Sequence, residues 1–273
     1  MTRDPPHGPR EFDLEVPSAA RVYDYLLGGS HNFKVDRDFA DQMVQYVPWV
    51  PKINRLNRAF LGRVVRFCVD QGIRQFLDLG SGIPTVGNVH EVAQRMAPDT
   101  RVVYVDYEQV AYQQARAMLA DNPYATIILA DVRDPALILD HPETRRLIDF
   151  SRPLGLLMVG VLLFIGPQDR PDQLVRAYRA RLAPGSYLAI SHLCDEQAPP
   201  GQREQVRSAV EAYQGASEQL YVRTKAEMLS WFEGMELVEP GVTFMPDWRP
   251  ETPDDAENEA RRLGYGGVAR QPG

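Results

Sequence analysis

The sequence predicts an α/β fold in which a mostly parallel sheet carries helices on both faces. Two observations predict it. From residue 73 onward, apolar runs of five to eight residues alternate with segments of helical character, a pattern typical of βαβ units around a sheet buried on both faces. Before residue 73 the apolar residues recur at helical spacing, so a mostly helical region is expected ahead of the sheet.

Residues 1–17 are expected to form a flexible arm, because four prolines interrupt regular pairing there. Ser18 is a candidate N-cap, and the helix that it begins is expected to stop at Gly28 and Gly29. Residues 18–72 are predicted to form a helical cap. Its predicted helices cover 19–27, 36–47 and 53–70.

Residues 73–273 are predicted to form the sheet domain. Its strand candidates are 73–79, 102–106, 125–130, a run within 154–165, 187–192, 237–245 and 264–270. Its helix candidates are 88–96, 108–120, 170–182 and 224–233, with Thr224 as the cap of the last. A polar stretch near 199–214 interrupts the alternation and is expected to be a helical insertion.

The composition excludes several classes of protein. In 273 residues, 30 Lys and Arg are set against 37 Asp and Glu, a net charge of −7, so no broad nucleic-acid surface is expected. Cys68 and Cys194 are too few for a disulfide framework and are expected to be reduced thiols of a cytoplasmic protein. Residues 1–10 lack the apolar stretch of a signal peptide. The apolar run 153–167 is too short to cross a bilayer, so no membrane association is expected.

The strongest functional signal is the run Phe-Leu-Asp-Leu-Gly-Ser-Gly-Ile-Pro-Thr at residues 76–85. An apolar strand leads here into a turn in which Gly80 and Gly82 lack a Cβ, so a ligand can approach the backbone closely. Asp78, at the end of the strand, can anchor a cation or an amide. A dinucleotide fingerprint needs a third glycine where Thr85 stands, which disfavours a nucleotide-dependent oxidoreductase.

Two further acids follow strand candidates. Asp106 lies 28 residues beyond Asp78 (106 − 78), where a carboxylate can accept both hydroxyls of a ribose or cap the next helix. Tyr107 could lie against an adenine face. Asp131 ends the third strand candidate, where it could accept an exocyclic amine or close an Asx turn. Three carboxylates would repel a ligand rich in phosphates, but they suit a nucleoside that carries a positive sulfonium.

These motifs resemble those of the class I S-adenosylmethionine-dependent methyltransferases. The similarity is closest to an actinobacterial family once described as a domain of unknown function and now called S-adenosyl methyltransferases. It extends over about residues 14–272 and includes strings at 20–29, 32–33, 36–37, 78–82, 84–85, 88–91 and 265–268. The wider superfamily has glycine where this chain has Pro84, so the turn departs from the general pattern at that residue.

The resemblance implies a Rossmann-like fold with a seven-stranded sheet whose last strand is antiparallel. It also implies S-adenosyl-L-methionine as cofactor, with its amino-acid end near the glycine-rich turn, its ribose at Asp106 and its adenine at Asp131. The predicted cofactor-binding residues are Arg21, Tyr25, Asn32, Asp78, Gly80, Ser81, Gly82, Asp106, Tyr107, Asp131, Val132, Gly160 and Val161.

The first helix allows two interpretations. In one, it belongs to a lid in which Arg21, Tyr25, Asn32 and Phe33 close over the ligand, and Arg21 pairs with the methionine carboxylate. In the other, Gly28 and Gly29 are a plain helix C-cap and the apolar residues of the helix complete a core.

Methyl transfer depends mostly on positioning and needs a base only if the acceptor holds a proton. His192, at the end of a strand candidate on the active-site rim, is the candidate catalytic base, although a lone His is more often structural. No Cys and His cluster has metal-ligand spacing. The sequence therefore predicts a methyltransferase that acts on a small-molecule acceptor, with a non-catalytic sensor of S-adenosylmethionine or S-adenosylhomocysteine as the alternative. It leaves the oligomeric state open, a homodimer included.

Overall fold

An eight-stranded sheet forms the centre of the computed structural model, which describes residues 15–84, 87–251 and 259–273. The strands are β1 (Gln75–Leu79), β2 (Arg101–Asp106), β3 (Ala125–Leu129), β4 (Gly155–Val159), β5 (Tyr187–Leu193), β6 (Glu236–Leu237), β7 (Thr243–Phe244) and β8 (Gly264–Arg270). Their order is β3-β2-β1-β4-β5-β8-β6, and β7 also pairs with β8. The first five strands run parallel and β8 runs antiparallel to β5. The predicted α/β fold with a mostly parallel sheet is confirmed.

One edge of the sheet differs from the predicted seven strands. The strand predicted over 237–245 is divided into β6 and β7, which pair with opposite ends of β8. A turn separates them, in which the Gly241 N–H donates to the Val238 carbonyl at 2.8 Å. Pro240, which has no N–H to donate, precedes that glycine and disfavours a continuous strand.

Helices cover both faces of the sheet, as predicted, because successive side chains of a buried strand point to opposite sides. In β1, Phe76 packs in one hydrophobic cluster with Phe60, and Leu77 packs in the other with Val175. The helices are α1 (Ala19–Leu26), α2 (Lys34–Tyr46), α3 (Val50–Asp70), α4 (Val89–Met96), α5 (Gln109–Met118), α6 (Pro135–Asp140), α7 (Pro142–Leu147), α8 (Pro171–Arg179), α9 (Pro200–Ala212) and α10 (Lys225–Ser230).

Capping residues mark the beginning of several helices. Glu91 accepts from the Asn88 N–H at 3.0 Å in the capping box of α4, and Thr224 caps α10 as predicted. Ser18 occupies the N-cap position of α1, but its side chain makes no capping hydrogen bond. The sequence analysis missed α6 and α7, because six residues are too few to show helical periodicity.

The N-terminal helices share a core with the sheet. Phe60 of α3 is fully buried, and a Cβ added at Gly266 of β8 would lie 2.7 Å from its Cε2 atom. The absence of that side chain therefore lets α3 lie directly on the sheet. The division into arm, cap and sheet domain stays a prediction, and most of the predicted arm lies outside the described residues.

Cys68 and Cys194 are both buried and unpaired with each other. Within the part of the chain that the structure describes, no helix is long and apolar enough to span a membrane.

Candidate functional site

A cavity of about 490 Å³ lies where β1 to β5 end. The carboxyl ends of parallel strands meet at one edge of a sheet, which is where open α/β folds bind ligands. Side chains from α1, α3 and α9 complete its wall, together with the segment 216–221. The predicted site residues on this wall are Asp78, Gly80, Ser81, Gly82, Asp106, Tyr107, Asp131, Val132, Gly160, Val161 and His192.

The turn after β1 requires glycine. Gly80 has a φ of +70°, and a Cβ there would lie 2.3 Å from Cγ2 of Val161, so any side chain would clash. The Gly82 N–H donates to Oδ2 of Asp106 at 2.7 Å. The turn is therefore packed against the loop after β4 and tied to the end of β2. Thr85, at the end of the motif, lies outside the described residues.

Asp78 brings a buried carboxylate to the cavity. It is 5% exposed, and no hydrogen bond or ion pair from the described residues reaches its carboxylate oxygens. Burial raises the pKa of Asp78 to about 7, a rise that the charge of Arg58 opposes and that of Asp106 increases. A buried carboxylate without a partner is costly to ionise, so this position suits a cationic ligand group.

Asp106 is held from two sides. In addition to Gly82, the Glu108 N–H donates to its Oδ1 at 2.9 Å. Burial raises the pKa of Asp106 to about 6, and these two backbone hydrogen bonds oppose the rise. A carboxylate offers about four lone-pair sites, so Asp106 keeps acceptor capacity for ligand hydroxyls.

Asp131 carries a partner that the sequence analysis did not identify. The Arg133 Nε atom donates to its two oxygens at 2.9 and 3.1 Å, and Nη2 forms an ion pair with Oδ2. Asp169 lies 3.7 Å from the other end of the same guanidinium. Arg133 stands only two residues after Asp131 and lines the cavity, so any ligand amine that binds Asp131 does so beside a cation.

Tyr107 contacts the segment 216–221. Its hydroxyl donates to Oε1 of Glu218 in a short hydrogen bond. Glu218 Oε2 also accepts from the Ala19 N–H at 3.0 Å, at the beginning of α1. This carboxylate therefore joins three separate parts of the cavity wall, and nothing in the local sequence signals it.

Arg21, Tyr25 and Asn32 are not on the cavity wall. Arg21 is 2% exposed and binds Asp36 at 2.8 Å, Glu108 at 3.1 Å and the Val16 carbonyl at 2.7 Å. These contacts fix α1 against α2 and α5.

Tyr25 and Asn32 also have partners within the N-terminal helices. The Tyr25 hydroxyl donates to Asp41 at 2.9 Å, and the Asn32 amide donates to Asp24 at 2.9 Å. A role for Arg21, Tyr25 and Asn32 in ligand binding stays a prediction that this placement does not support, and the second interpretation of α1 agrees better with the contacts.

His192 lies on the wall, but both nitrogens of its ring are engaged. Nδ1 lies 2.8 Å from the Leu193 carbonyl, and Nε2 lies 2.8 Å from Nη1 of Arg223. Because a guanidinium can only donate, Nε2 is the acceptor and the ring is neutral. Burial lowers the pKa of His192 to about 4. A catalytic role for His192 stays a prediction, and this arrangement leaves no ring nitrogen ready to take a proton.

A further polar contact joins α3 to the sheet inside the cavity. The Ser191 hydroxyl donates to Oδ1 of Asn57 at 2.5 Å. Gly160 has a φ of +76°, and a Cβ there would lie 3.0 Å from the Asn57 amide nitrogen. The sequence analysis missed Asn57 because it lies inside a helix and belongs to no motif.

Across the described ranges, no group of three or more His, Cys, Asp and Glu side chains is arranged to hold a metal ion.

Comparison with known proteins gives matches over nearly the whole chain. A family model described as S-adenosyl methyltransferase matches residues 6–272. A putative methyltransferase from Thermobifida fusca is 45% identical, with 96% of this chain and 97% of that chain covered and a TM-score of 0.89. A DUF574 family protein from Streptomyces avermitilis is 38% identical, with 95% and 99% covered and a TM-score of 0.89. No curated protein matches the sequence.

Proposed function

The chain belongs to the S-adenosyl methyltransferase family, and we propose that it transfers the methyl group of S-adenosyl-L-methionine to a small-molecule acceptor. The observation that carries the proposal is one cavity that holds three buried acids beside a glycine-rich turn. Asp78 in particular is an ionisable group without a protein partner among the described residues, as a site for a cationic ligand requires.

The residues present fit this cofactor. Asp78 would face the amino-acid end, Asp106 would accept the ribose hydroxyls, and Asp131 with Val132 would border the adenine. Gly80, Ser81, Gly82, Gly160 and Val161 would let the cofactor lie close to the backbone. When bound, the cofactor would supply an electrophilic methyl group on a positively charged sulfur.

The remainder of the wall supports an uncharged, largely apolar acceptor. Its side chains from the N-terminal helices and from the loops after β4, α9 and β7 are mostly hydrophobic, and they include Met43, Trp49, Ile53, Phe164, Tyr213 and Met245. A cavity that encloses one drug-sized ligand measures about 300–1,000 Å³. Because 490 Å³ would have to hold the cofactor as well, the acceptor is small.

The protein's contribution to catalysis would be positioning. Because the geometry leaves the imidazole of His192 neutral and hydrogen-bonded, we assign it to support of the cavity wall rather than to proton removal. Holding two reactants in line can account for a large part of the rate increase of such a transfer.

Two measurements test the proposal. Isothermal titration calorimetry with S-adenosylhomocysteine should give micromolar or tighter binding. Incubation with S-adenosylmethionine labelled in its methyl group and a fractionated small-molecule extract should then move the label into a product. If neither S-adenosylhomocysteine nor S-adenosylmethionine binds detectably, the proposed cofactor is wrong. Tight binding without transfer to any fraction would contradict the proposed enzyme activity.

A further inference from the structure

A short chain of hydrogen bonds lies on the cavity wall between α3 and β5. The Ser191 hydroxyl donates to Oδ1 of Asn57 at 2.5 Å, and the Asn57 amide donates to the Tyr23 hydroxyl at 3.3 Å. Tyr23 in turn donates to the Asn54 carbonyl at 3.1 Å. All four residues line the cavity, and Ser191 is 1% exposed. Because each donor in this chain points away from Ser191, the serine oxygen is left to accept.

Asn57 and Ser191 keep hydrogen-bonding capacity for a ligand. A hydroxyl oxygen has two lone pairs, and a carboxamide nitrogen carries two N–H groups. Among the residues that the structure describes, none donates to the Ser191 hydroxyl, and none but Tyr23 accepts from the Asn57 amide. Buried polar groups without a partner are costly, so this pair suits a ligand group that both donates and accepts a hydrogen bond.

The pair lies between the glycine-lined part of the wall and its apolar part. On one side, a Cβ at Gly160 would lie 3.0 Å from the Asn57 amide nitrogen, and Gly160 is expected to border the cofactor. On the other side, Ile53 lies one turn before Asn57 on α3. Ile53 and Met245 both approach the beginning of β8, which pairs with the strand that carries Ser191. An acceptor bound here would have its polar group toward the cofactor and its apolar part toward Ile53 and Met245.

The pair and its immediate hydrogen-bond partners are uncharged. Burial raises the pKa of Tyr23, so its hydroxyl keeps its proton. Burial lowers the pKa of His192, the next residue after Ser191, to about 4, so its ring is neutral. Arg58, the next residue on α3, donates to Asn88 at the beginning of α4. A charged acceptor group would lose its hydration here against neutral partners, which is costly, so the pair favours an uncharged one.

We propose that Asn57 and Ser191 determine acceptor specificity by binding an uncharged group that both donates and accepts a hydrogen bond, such as a hydroxyl or an amide. Ile53 and Met245 contact the apolar part of the same molecule. The inference rests on the proposed function and narrows the acceptor to this chemical class. Both polar residues position the acceptor, and neither acts as a base.

The test measures how three small probes bind to the full-length protein saturated with S-adenosylhomocysteine. Phenol carries a hydroxyl on an apolar ring, toluene has a methyl group in its place, and benzoate carries a negative charge. Ligand-observed NMR titration gives the three dissociation constants. The unaltered protein should bind phenol at least about tenfold more tightly than benzoate. Ser191→Ala should lower the ratio of phenol affinity to toluene affinity about fivefold, as expected for loss of one hydrogen bond.

A second variant and a control accompany this measurement. Asn57→Ala should lower the same ratio about fivefold. Calorimetry with S-adenosylhomocysteine shows whether each variant is folded, and that affinity should change by less than about twofold. Ser208→Ala, exposed on α9, is the matched control and should leave the ratio unchanged.

The outcomes separate this inference from the proposed function. The inference is overturned if phenol does not bind, if benzoate binds as tightly as phenol, or if neither variant changes the ratio. Loss of S-adenosylhomocysteine binding in both variants would also overturn it, because the pair would then serve only to hold α3 on the sheet. Each of these results leaves the proposed function intact. Failure of the unaltered protein to bind S-adenosylhomocysteine would instead contradict the proposed function.

Discussion

The backbone N–H of Gly82 donates to Oδ2 of Asp106 at 2.7 Å, so the glycine-rich turn and the end of β2 are joined through a carboxylate that also faces the cavity. Both features were visible in the sequence, but the bond between them was not. It means that Asp106 has two tasks, because it fixes the shape of the turn and keeps acceptor sites for a ligand.

Asp106→Asn should weaken binding of S-adenosylhomocysteine at least about tenfold. The Gly82 and Glu108 N–H groups donate to different oxygens of Asp106. Asn has an NH2 donor in place of one of these oxygens, so one of the two N–H groups would lose its acceptor. Loss of a hydrogen bond to a charged group is worth about 1.5–3 kcal/mol. Calorimetry measures the change, with Asp70→Asn, an exposed acid at the end of α3, as control. An unchanged affinity would show that Asp106 does not serve the ligand.

The apo protein should become more stable when Asp78 is replaced by Asn, by an amount that grows from about pH 4 upward and is largest at neutral to alkaline pH. Burial raises the pKa of Asp78 from 3.8 to about 7, so the folded state holds this proton more tightly than the unfolded state does. The stability that the neutral carboxyl provides is complete below pH 4 and is lost as the pH rises through 7. Asn remains neutral throughout and avoids that loss.

The charged groups around Asp78 set the size of this effect. The charge of Arg58 on α3 opposes the rise in the pKa of Asp78, and the charge of Asp106 on β2 increases it. Tyr104 and His90 form a hydrogen bond with each other nearby. Both stay neutral, because burial raises the pKa of Tyr104 and lowers that of His90. At about 1.4 kcal/mol per pKa unit, Asp78→Asn should gain a few kcal/mol at pH 8, and thermal unfolding should show the gain disappear near pH 4. A variant that is less stable than the unaltered protein at pH 8 would refute this account.

Structural features that depend on neighbouring residues could be predicted from the sequence, whereas contacts between residues far apart in the chain could not. Strands such as β2 and β3 were predictable because a short run of consecutive apolar residues is typical of a buried strand. Because the strand candidates were visible, Asp78, Asp106 and Asp131 could be placed together at the ends of β1, β2 and β3. The two acidic partners of Arg21, Asp36 and Glu108, lie 15 and 87 residues away along the chain, and no pattern among neighbouring residues indicates such pairing.

The position of Arg58 on the cavity wall could not be predicted from the sequence either. In the sequence it is one of several arginines on an amphipathic helix, and only the placement of α3 on the sheet brings it to the end of β1.

Arg223→Gln should lower the free energy of unfolding by about 2–4 kcal/mol, because it disconnects a buried network. The guanidinium donates to the carbonyls of Leu162 and Ile165 at 2.9 and 2.5 Å, and also to His192. Urea denaturation measures the loss. Arg207→Gln, exposed on α9, should stay within about 0.5 kcal/mol. Equal stability of the two variants would mean that the network does not support the loop after β4.

Glu218→Ala should make S-adenosylhomocysteine both bind and dissociate severalfold faster. The segment 216–221 lines the cavity and is partly exposed. Glu218 ties it to Ala19 and Tyr107, and the Tyr221 N–H holds its other end by donating to the Leu163 carbonyl at 2.8 Å. Without the carboxylate, this end of the segment loses its hydrogen bonds to Ala19 and Tyr107 and keeps the backbone hydrogen bond from the Ser217 N–H to the Pro17 carbonyl at 3.1 Å. The weaker attachment should let the segment open more often.

Stopped-flow fluorescence gives both rate constants for this variant and for Glu211→Ala, an exposed acid on α9 that serves as control. Opening of the segment would ease entry to and exit from the cavity more than it would alter the contacts of the bound ligand. The association and dissociation rate constants should therefore rise together, and the equilibrium affinity should change less than either of them. A rise in the dissociation rate alone would instead identify Glu218 as a direct ligand contact. Unchanged rates would show that ligand enters and leaves by another part of the wall.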